Sequence, residues 1–197
     1  MSYALFDLFS AAFFACLIQN LIFTGGYGAS EAIRMSAKPK NLFPLSVFIV
    51  YFSILTSVIC RILELQPVIS QLGTFYHNAI FYGVLCVLYL VTVLVVKAAN
   101  APERVVRRVG IAAFNTLVLS VPFINYRAGF NIVEAIGAGI GAGIAFVIAV
   151  LLINIGLQRL ETNTSIPRYF KGTPAIFIYV ALLCLGFMAF SGKSIFI

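Results

Sequence analysis

Residues 132–155 read IVEAIGAGIGAGIAFVIAVLLINI, with Glu134 as the only charge. A spanning helix uses about 20 predominantly apolar residues, so this run is long enough to cross a bilayer. Its glycines Gly137, Gly139, Gly141 and Gly143 fall at alternate positions. The run is nonetheless continuous and far longer than the ~10-residue alternating segments of a membrane β-barrel, so it reads as a helix. Two overlapping GxxxG pairs result, Gly137 with Gly141 and Gly139 with Gly143, which lie side by side on the helix and offer a broad smooth face for close packing. A nucleotide-binding glycine loop would need a preceding strand and a soluble phosphate site, and this context supplies neither.

The rest of the chain repeats the apolar pattern. Runs of spanning length occupy 3–24, 42–63, 79–96, 109–126 and 174–190, which with 132–155 predicts an all-α polytopic membrane protein of six helices. The 197 residues are 62% hydrophobic and 10% charged with a mean hydropathy of +1.07, against roughly 25% charged in a soluble domain. Such a chain would leave a large apolar patch in water, so its natural solvent is the lipid bilayer. Six spans with short loops leave no room for an aqueous domain, so one membrane domain, 1–197, is expected.

Charge placement predicts the orientation. No positive charge precedes Arg34, so the first apolar run lacks the basic flank of a secretory signal and is expected to stay in the protein. Arg34, Lys38 and Lys40 follow the first run, Lys97, Arg104, Arg107 and Arg108 the third, and Arg159, Arg168 and Lys171 the fifth. Only Arg61, Arg127 and Lys193 fall on the opposite side, a split of 10 to 3 among the 13 basic residues. The positive-inside rule then puts both termini outside the cytoplasm of a bacterial-type inner membrane. The basic residues are dispersed over three short loops, which argues against nucleic acid as a partner.

Two segments break the pattern of a plain bundle. The first run ends in TGGYGAS, where Gly25, Gly26 and Gly28 let the backbone leave helical geometry. The fourth carries Asn115, Thr116, Ser120 and Pro122, and proline removes a helical hydrogen bond. Ser120 lies twelve residues after Arg108, about 18 Å along a helix and so near the membrane middle. These runs open two three-span halves, about 1–98 and 99–197, and an odd number of spans per half makes the halves inverted. Matched breaks in inverted halves point to a mid-membrane site. The competing reading is two ordinary helices, one with a glycine-rich end and one with a proline kink, in which Asn20 and Asn115 bridge neighbouring helices.

The remaining reactive residues read as structural. Cys16, Cys60, Cys86 and Cys184 each fall in a different apolar run without metal-ligand spacing, and are expected to pack as small hydrophobes. His77, beside Tyr76 and Asn78, is expected in an outer loop as an interfacial anchor. Glu64 and Glu134 are expected at outer span ends near Arg61 and Arg127, and Asp7 lies near the N-terminus, so no carboxylate is expected deep in hydrocarbon to mark an ion path.

The segment IPRYFKG at 166–172, followed after a span by LGFMAFSG at 185–192, resembles the last loop and helix of the A subunit of the Rnf electron-transport complex and of the E subunit of the sodium-pumping NADH:quinone reductase. The likeness extends over nearly the whole chain and is most specific from Ile166 to Gly192. It implies a membrane subunit of a complex that couples electron flow among NADH, ferredoxin or quinone to sodium or proton movement, paired with an oppositely oriented six-span sister subunit. It also implies an iron–sulfur centre shared between the two, each supplying two cysteines. Alignment through Asn20, Gly28 and Ser36 puts Ser30 at one of those cysteine positions, and alignment through Gly110 and Ile111 puts Ser120 at the other. Serine hydroxyls stay protonated near neutral pH, whereas iron–sulfur clusters are held by soft thiolates, so no cluster or other metal is expected on this chain. Cys16, fourteen residues from Ser30, is about 21 Å away along a helix and cannot substitute. Any nucleotide, flavin or ferredoxin chemistry would belong to partner subunits. The alternatives are a non-redox paralogue serving as a membrane scaffold, or a small-solute carrier such as the substrate-binding component of a vitamin transporter, whose small residues four apart Ala11 and Ala15 would echo.

Overall fold

The computed structural model describes residues 2–71 and 73–191, so Gly192 and Lys193, which enter the motif and the charge count above, lie outside the described residues. Every regular element among the described residues is helical. Helix α1 (Ser2–Phe13) runs into a π-helical turn, Phe14–Ile18, and is followed by α2 (Leu21–Gly25) and α3 (Ala29–Ser36). A 3-10 turn, Pro39–Asn41, leads into α4 (Leu42–Glu64), then the short α5 (Pro67–Ser70) and α6 (Thr74–Ala98). The second half comprises α7 (Glu103–Ala113), α8 (Thr116–Ala128), α9 (Ile132–Thr162), a 3-10 turn at Arg168–Phe170, and α10 (Thr173–Ser191).

Three helical stretches, Pro39–Glu64, Thr74–Ala98 and Ile132–Thr162, are long and apolar enough to cross a membrane alone, and α7 with α8, bent by 40°, makes a fourth if the pair is one span. The expected first and last spans appear as shorter apolar helices, Tyr3–Ile18 and Thr173–Ala189. By helix length and composition the described residues thus give three to four candidate spans where hydropathy predicts six. The first run falls short because its helix stops at Gln19, inside a stretch that is apolar on both sides.

Helix α9 is the central element and packs against α1, α3, α4, α8 and α10. It starts at a capping box in which the Glu134 amide donates to Asn131 Oδ1 at 2.9 Å and the Asn131 amide donates to Glu134 Oε2 at 2.7 Å. This satisfies two otherwise orphaned amides and gives Glu134 a capping role. The helix outruns the predicted 132–155 because Gln158, Arg159, Leu160 and Glu161 are good helix formers. Its 31 residues measure about 46 Å, more than the ~30 Å hydrocarbon core.

The two glycine pairs of α9 serve different neighbours. A Cβ built at Gly141 would lie 2.5 Å from the Ala12 carbonyl oxygen of α1, and one at Gly137 would overlap the Leu8 carbonyl. On the adjoining line, a Cβ at Gly139 would lie 3.0 Å from the Ile54 amide nitrogen of α4, and one at Gly143 would overlap the Val50 side chain. Without side chains at these positions, the helix approaches two others at backbone distance, where dispersion and close packing replace the hydrophobic effect as the cohesive force in lipid.

Aromatic side chains fill the interior, with Phe23, Phe52, Phe81 and Phe146 fully buried and Phe23 stacked on Phe187 at 4.6 Å between ring centroids. The outside is equally apolar. Tyr3, Phe6, Phe9 and Phe13 of α1, Val87 and Leu94 of α6, and Phe177, Leu182 and Leu185 of α10 are exposed. Such a surface would drive association in water and is matched to lipid tails. Cys16 and Cys60 are buried, Cys184 is half-buried and Cys86 is exposed.

His77 departs from expectation. It lies in the first turn of α6 and not in a loop, is 1% exposed, and stacks on Tyr126 of α8 at 4.3 Å with Phe81 edge-on. The helix begins earlier than hydropathy suggests because polar and aromatic residues can extend a helix through the interface, and the Tyr126 ring gives the imidazole a packing partner.

Candidate functional site

Both interrupted segments break at an asparagine. In the first half, Asn20 is fully buried with non-helical backbone, and its Oδ1 accepts a hydrogen bond from the Ile22 amide at 3.1 Å to cap α2. In the second, Asn115 is also buried and extended, and its Oδ1 accepts from the Leu117 amide at 3.0 Å to cap α8. An asparagine side chain competes with the backbone for amide donors, so it can end one helix and start the next within apolar surroundings without leaving every freed amide unsatisfied. Asn20 Nδ2 also donates to the Cys16 carbonyl and, across the bundle, to the Ala145 carbonyl of α9, each at 3.3 Å.

This corrects the expected position of the second break. Pro122 lies inside α8 and the helix passes through it, while the 40° bend falls at residues 114–115. The side-chain cap at Asn115 interrupts the ladder about two turns earlier, and a proline buried within a short supported helix is tolerated. In the first half, the glycine cluster does depart from helical geometry, with Gly26 at φ +72° and Gly28 at φ +78°.

The two breaks meet. The Gly28 amide donates to Thr116 Oγ1 at 2.7 Å, joining the loop after α2 to the first residue of α8. Glycine is required there on two counts. Its backbone is left-handed, and a Cβ would lie 2.8 Å from Asn115 Oδ1 and 3.0 Å from Leu117 Cβ. Gly28→Ala is therefore expected to destabilise the protein by about 2 kcal/mol, combining left-handed strain with displacement of the Asn115 cap, and to lower the melting temperature in detergent by about 5 °C. A melting temperature within a degree of the wild type would contradict that assignment.

Ser30, Asn115 and Thr116 face a common groove of about 340 Å³ between α3 and the α7–α8 break, flanked by Glu31, Arg34 and Phe114. Arg34 is held at the rim by Glu31, with Nε donating to Oε2 at 2.8 Å. Ser120, expected as the partner of Ser30, is buried one turn further into α8, where its hydroxyl donates to the Leu117 carbonyl at 2.8 Å; it does not line this groove. Thr116 stands where Ser120 was expected. A signal for it exists in the sequence, since a residue directly after a capping asparagine starts the half-helix, but proline points to a later position. Gly25 and Gly26 are exposed on the approach to this region, and the α9 glycines lie away from it in the bundle packing.

The polar groups lining the groove are the hydroxyls of Ser30 and Thr116, the Asn115 side-chain amide, whose buried Nδ2 has no partner among the described residues, and the Glu31–Arg34 pair. Hard, neutral hydroxyls do not fit a thiolate-held iron–sulfur cluster. None of the four cysteines lines the groove, and among the described residues no three His, Cys, Asp or Glu side chains gather as a ligand set. The groove can bind polar groups through hydrogen bonds.

No family model matches the chain. Curated relatives do. The chain is 23% identical over 185 residues to the A subunit of the Na(+)-translocating ferredoxin:NAD(+) oxidoreductase complex of Acetobacterium woodii, covering 92% of this chain and 95% of that protein. It is 24% identical over 180 residues to the A subunit of the ion-translocating oxidoreductase complex of Actinobacillus pleuropneumoniae, covering 89% and 92%. Over 78 residues it reaches 38% identity with the protein of the same name in Aromatoleum aromaticum, covering 40% of each chain. Similarity at low identity over most of the chain supports the Rnf and Nqr resemblance carried by residues 166–192.

Proposed function

We propose that this chain is an integral membrane component of an ion-translocating electron-transport complex, in the position that the A subunit takes in its relatives, and that it carries no iron–sulfur centre of its own. The observation that carries this reading is the near end-to-end similarity to proteins of that name. The apolar exterior supports the membrane setting, and the absence of a soluble domain among the described residues fits a chain that depends on partners for redox chemistry.

On this reading the chain crosses a bacterial-type inner membrane six times as two inverted halves. The path α1–α2–α3 serves as an interrupted first crossing and α7–α8 as its counterpart. Asn20 and Asn115 cap the two interruptions, and the groove with Ser30 and Thr116 faces an oppositely oriented six-span sister subunit. Both termini lie outside the cytoplasm, as the 10 to 3 division of basic residues favours. The α10 helix, 19 residues or about 28 Å long, is close to the hydrocarbon thickness and suits a final crossing.

Tagged protein is expected to co-purify with a second polytopic subunit of opposite orientation, and recovery as a lone monomer from cells that express the full complement would count against the assignment. Purified protein, alone or with that partner, is expected to contain only background iron. Stoichiometric iron with visible absorbance that is lost in Ser30→Ala or Thr116→Ala would overturn the cluster-free part while leaving the place in the complex intact.

A further inference from the structure

Helix α7 carries Arg104, Arg107 and Arg108 in its first two turns, at spacings of three and four that set them on one face. They converge with Arg34 of α3 on an open groove of about 490 Å³ that adjoins the Ser30 groove through the shared Arg34 and Ile111. The geometry points to a binding site here for the headgroup of an anionic phospholipid, with the guanidinium groups holding its phosphates.

The charge in the groove is out of balance. Glu31 neutralises Arg34, but Arg104, Arg107 and Arg108 form no ion pair among the described residues. Glu103 lies on a neighbouring hollow with Lys97, sharing only Arg107 with this one. Three uncompensated guanidiniums repel one another until an anion occupies the space between them. One of them is already positioned, since Arg108 donates to Asn41 Oδ1 at 2.7 Å across the groove. Guanidinium is the side chain best matched to phosphate oxygens because its planar fork makes paired, charge-assisted hydrogen bonds. Orientation alone would not require this convergence: Arg159, Arg168 and Lys171 belong to the same side in the charge count, yet none lines this groove.

The apolar lining favours a lipid over a free anion. Leu45 and Ile111 floor the groove, and Phe43 and Phe114 on the same two helical paths, α4 and α7–α8, are 78% and 53% exposed. Basic residues at the mouth of a helix that enters the bilayer, above an apolar wall, match a headgroup with its acyl chains below. Three unpaired charges are better met by a lipid with two phosphodiesters than by a monoanionic one.

The test uses the full chain in mild detergent, with lipid retention read by native mass spectrometry during titration with cardiolipin, phosphatidylglycerol or phosphatidylcholine. Affinity is expected to fall in that order. R104Q/R107Q/R108Q is expected to weaken cardiolipin binding about a hundredfold, and R107Q alone about fivefold, at ~1 kcal/mol per arginine. R159Q/R168Q/K171Q, with the same loss of charge, should leave it unchanged. Equal lipid-free melting temperatures for both triple variants would show that the loss is not unfolding, and R107Q supplies the measurement if the first triple does not fold. Equal weakening by both triples, or phosphatidylcholine binding as tightly as cardiolipin, would overturn the site. Inorganic pyrophosphate competing with the affinity of the lipid would reassign it to a free anion. Unchanged cardiolipin binding in R104Q/R107Q/R108Q, accompanied by loss of partner subunits, would make it a protein interface and end the proposal.

Discussion

Gly141→Leu is expected to eliminate most of the folded protein. The glycine faces the α1 backbone, with its pro-Cβ position 2.5 Å from the Ala12 carbonyl oxygen and 2.8 Å from Ala15 Cβ. A side chain can often evade a clash by changing rotamer, at about 1–3 kcal/mol for an overpacked core. A carbonyl oxygen in a helix cannot, because it is held by the helical ladder. Accommodating leucine would therefore separate α1 from α9 along their contact and sacrifice the packing of Ala11, Ala15 and Ala138 with it. The cost is expected to be at least ~3 kcal/mol, equivalent to a fall of about 10 °C in melting temperature for a chain of this size. Gly83 and Gly186 are the controls, since a Cβ at either meets nothing within 4 Å and both residues are exposed. Gly83→Leu and Gly186→Leu should retain wild-type yield and melting temperature in detergent. If all three variants behaved alike, the α1–α9 contact would not be the close approach described.

The second large effect is expected at Asn20, and its size relative to Asn115 is the informative quantity. Asn20→Ala removes the cap on the Ile22 amide together with the side-chain donor that links the break to the Ala145 carbonyl of α9. Losing a cap costs about 1 kcal/mol and leaving a buried group without a partner costs about 1–3 kcal/mol, so a total near ~3 kcal/mol is expected. Asn115→Ala loses the same kind of cap, but its Nδ2 has no partner among the described residues, so about 1 kcal/mol is expected. Serine separates the two contributions. Asn115→Ser keeps a capping oxygen and should recover most of the loss, whereas Asn20→Ser cannot reach Ala145 and should remain well below wild type. Melting in detergent measures both, and equal losses at the two asparagines would show that the bond to α9 contributes nothing.

The features behind these effects differ in how visible they are in the sequence. The α9 glycines are legible as a packing surface because alternate glycines in an apolar run have few other uses in lipid. Which helices they receive is not, since α1 and α4 are brought to adjoining faces of α9 by the path of the chain. Asn20 and Asn115 are visible as polar residues in apolar runs, but the nearby proline and glycines are the stronger local signals. Pro122 is compatible with its helix, and Ser120 turns inward to bond its own turn. Thr116 is hidden because its position in the groove depends on where the ladder is cut, and the cut is made by a side chain competing for an amide.

Composition and hydropathy by themselves determined the solvent, the all-helical class and the placement of the apolar runs, because backbone groups in a bilayer must be satisfied within the protein and long continuous apolar runs do so as helices. The distribution of thirteen basic residues carried the orientation expected of the chain, for charges are too costly to leave in hydrocarbon and must collect at its edges. Tertiary structure decided where the helices break, which hydroxyls share a groove, and that Arg34 meets three arginines some seventy residues further along the chain. Those outcomes rest on bonds between distant segments, such as Gly28 to Thr116 and Asn20 to Ala145, whose partners have no periodic relation in sequence. Local propensity cannot rank such pairings, because their energies exist only after α9 has gathered the other helices around itself.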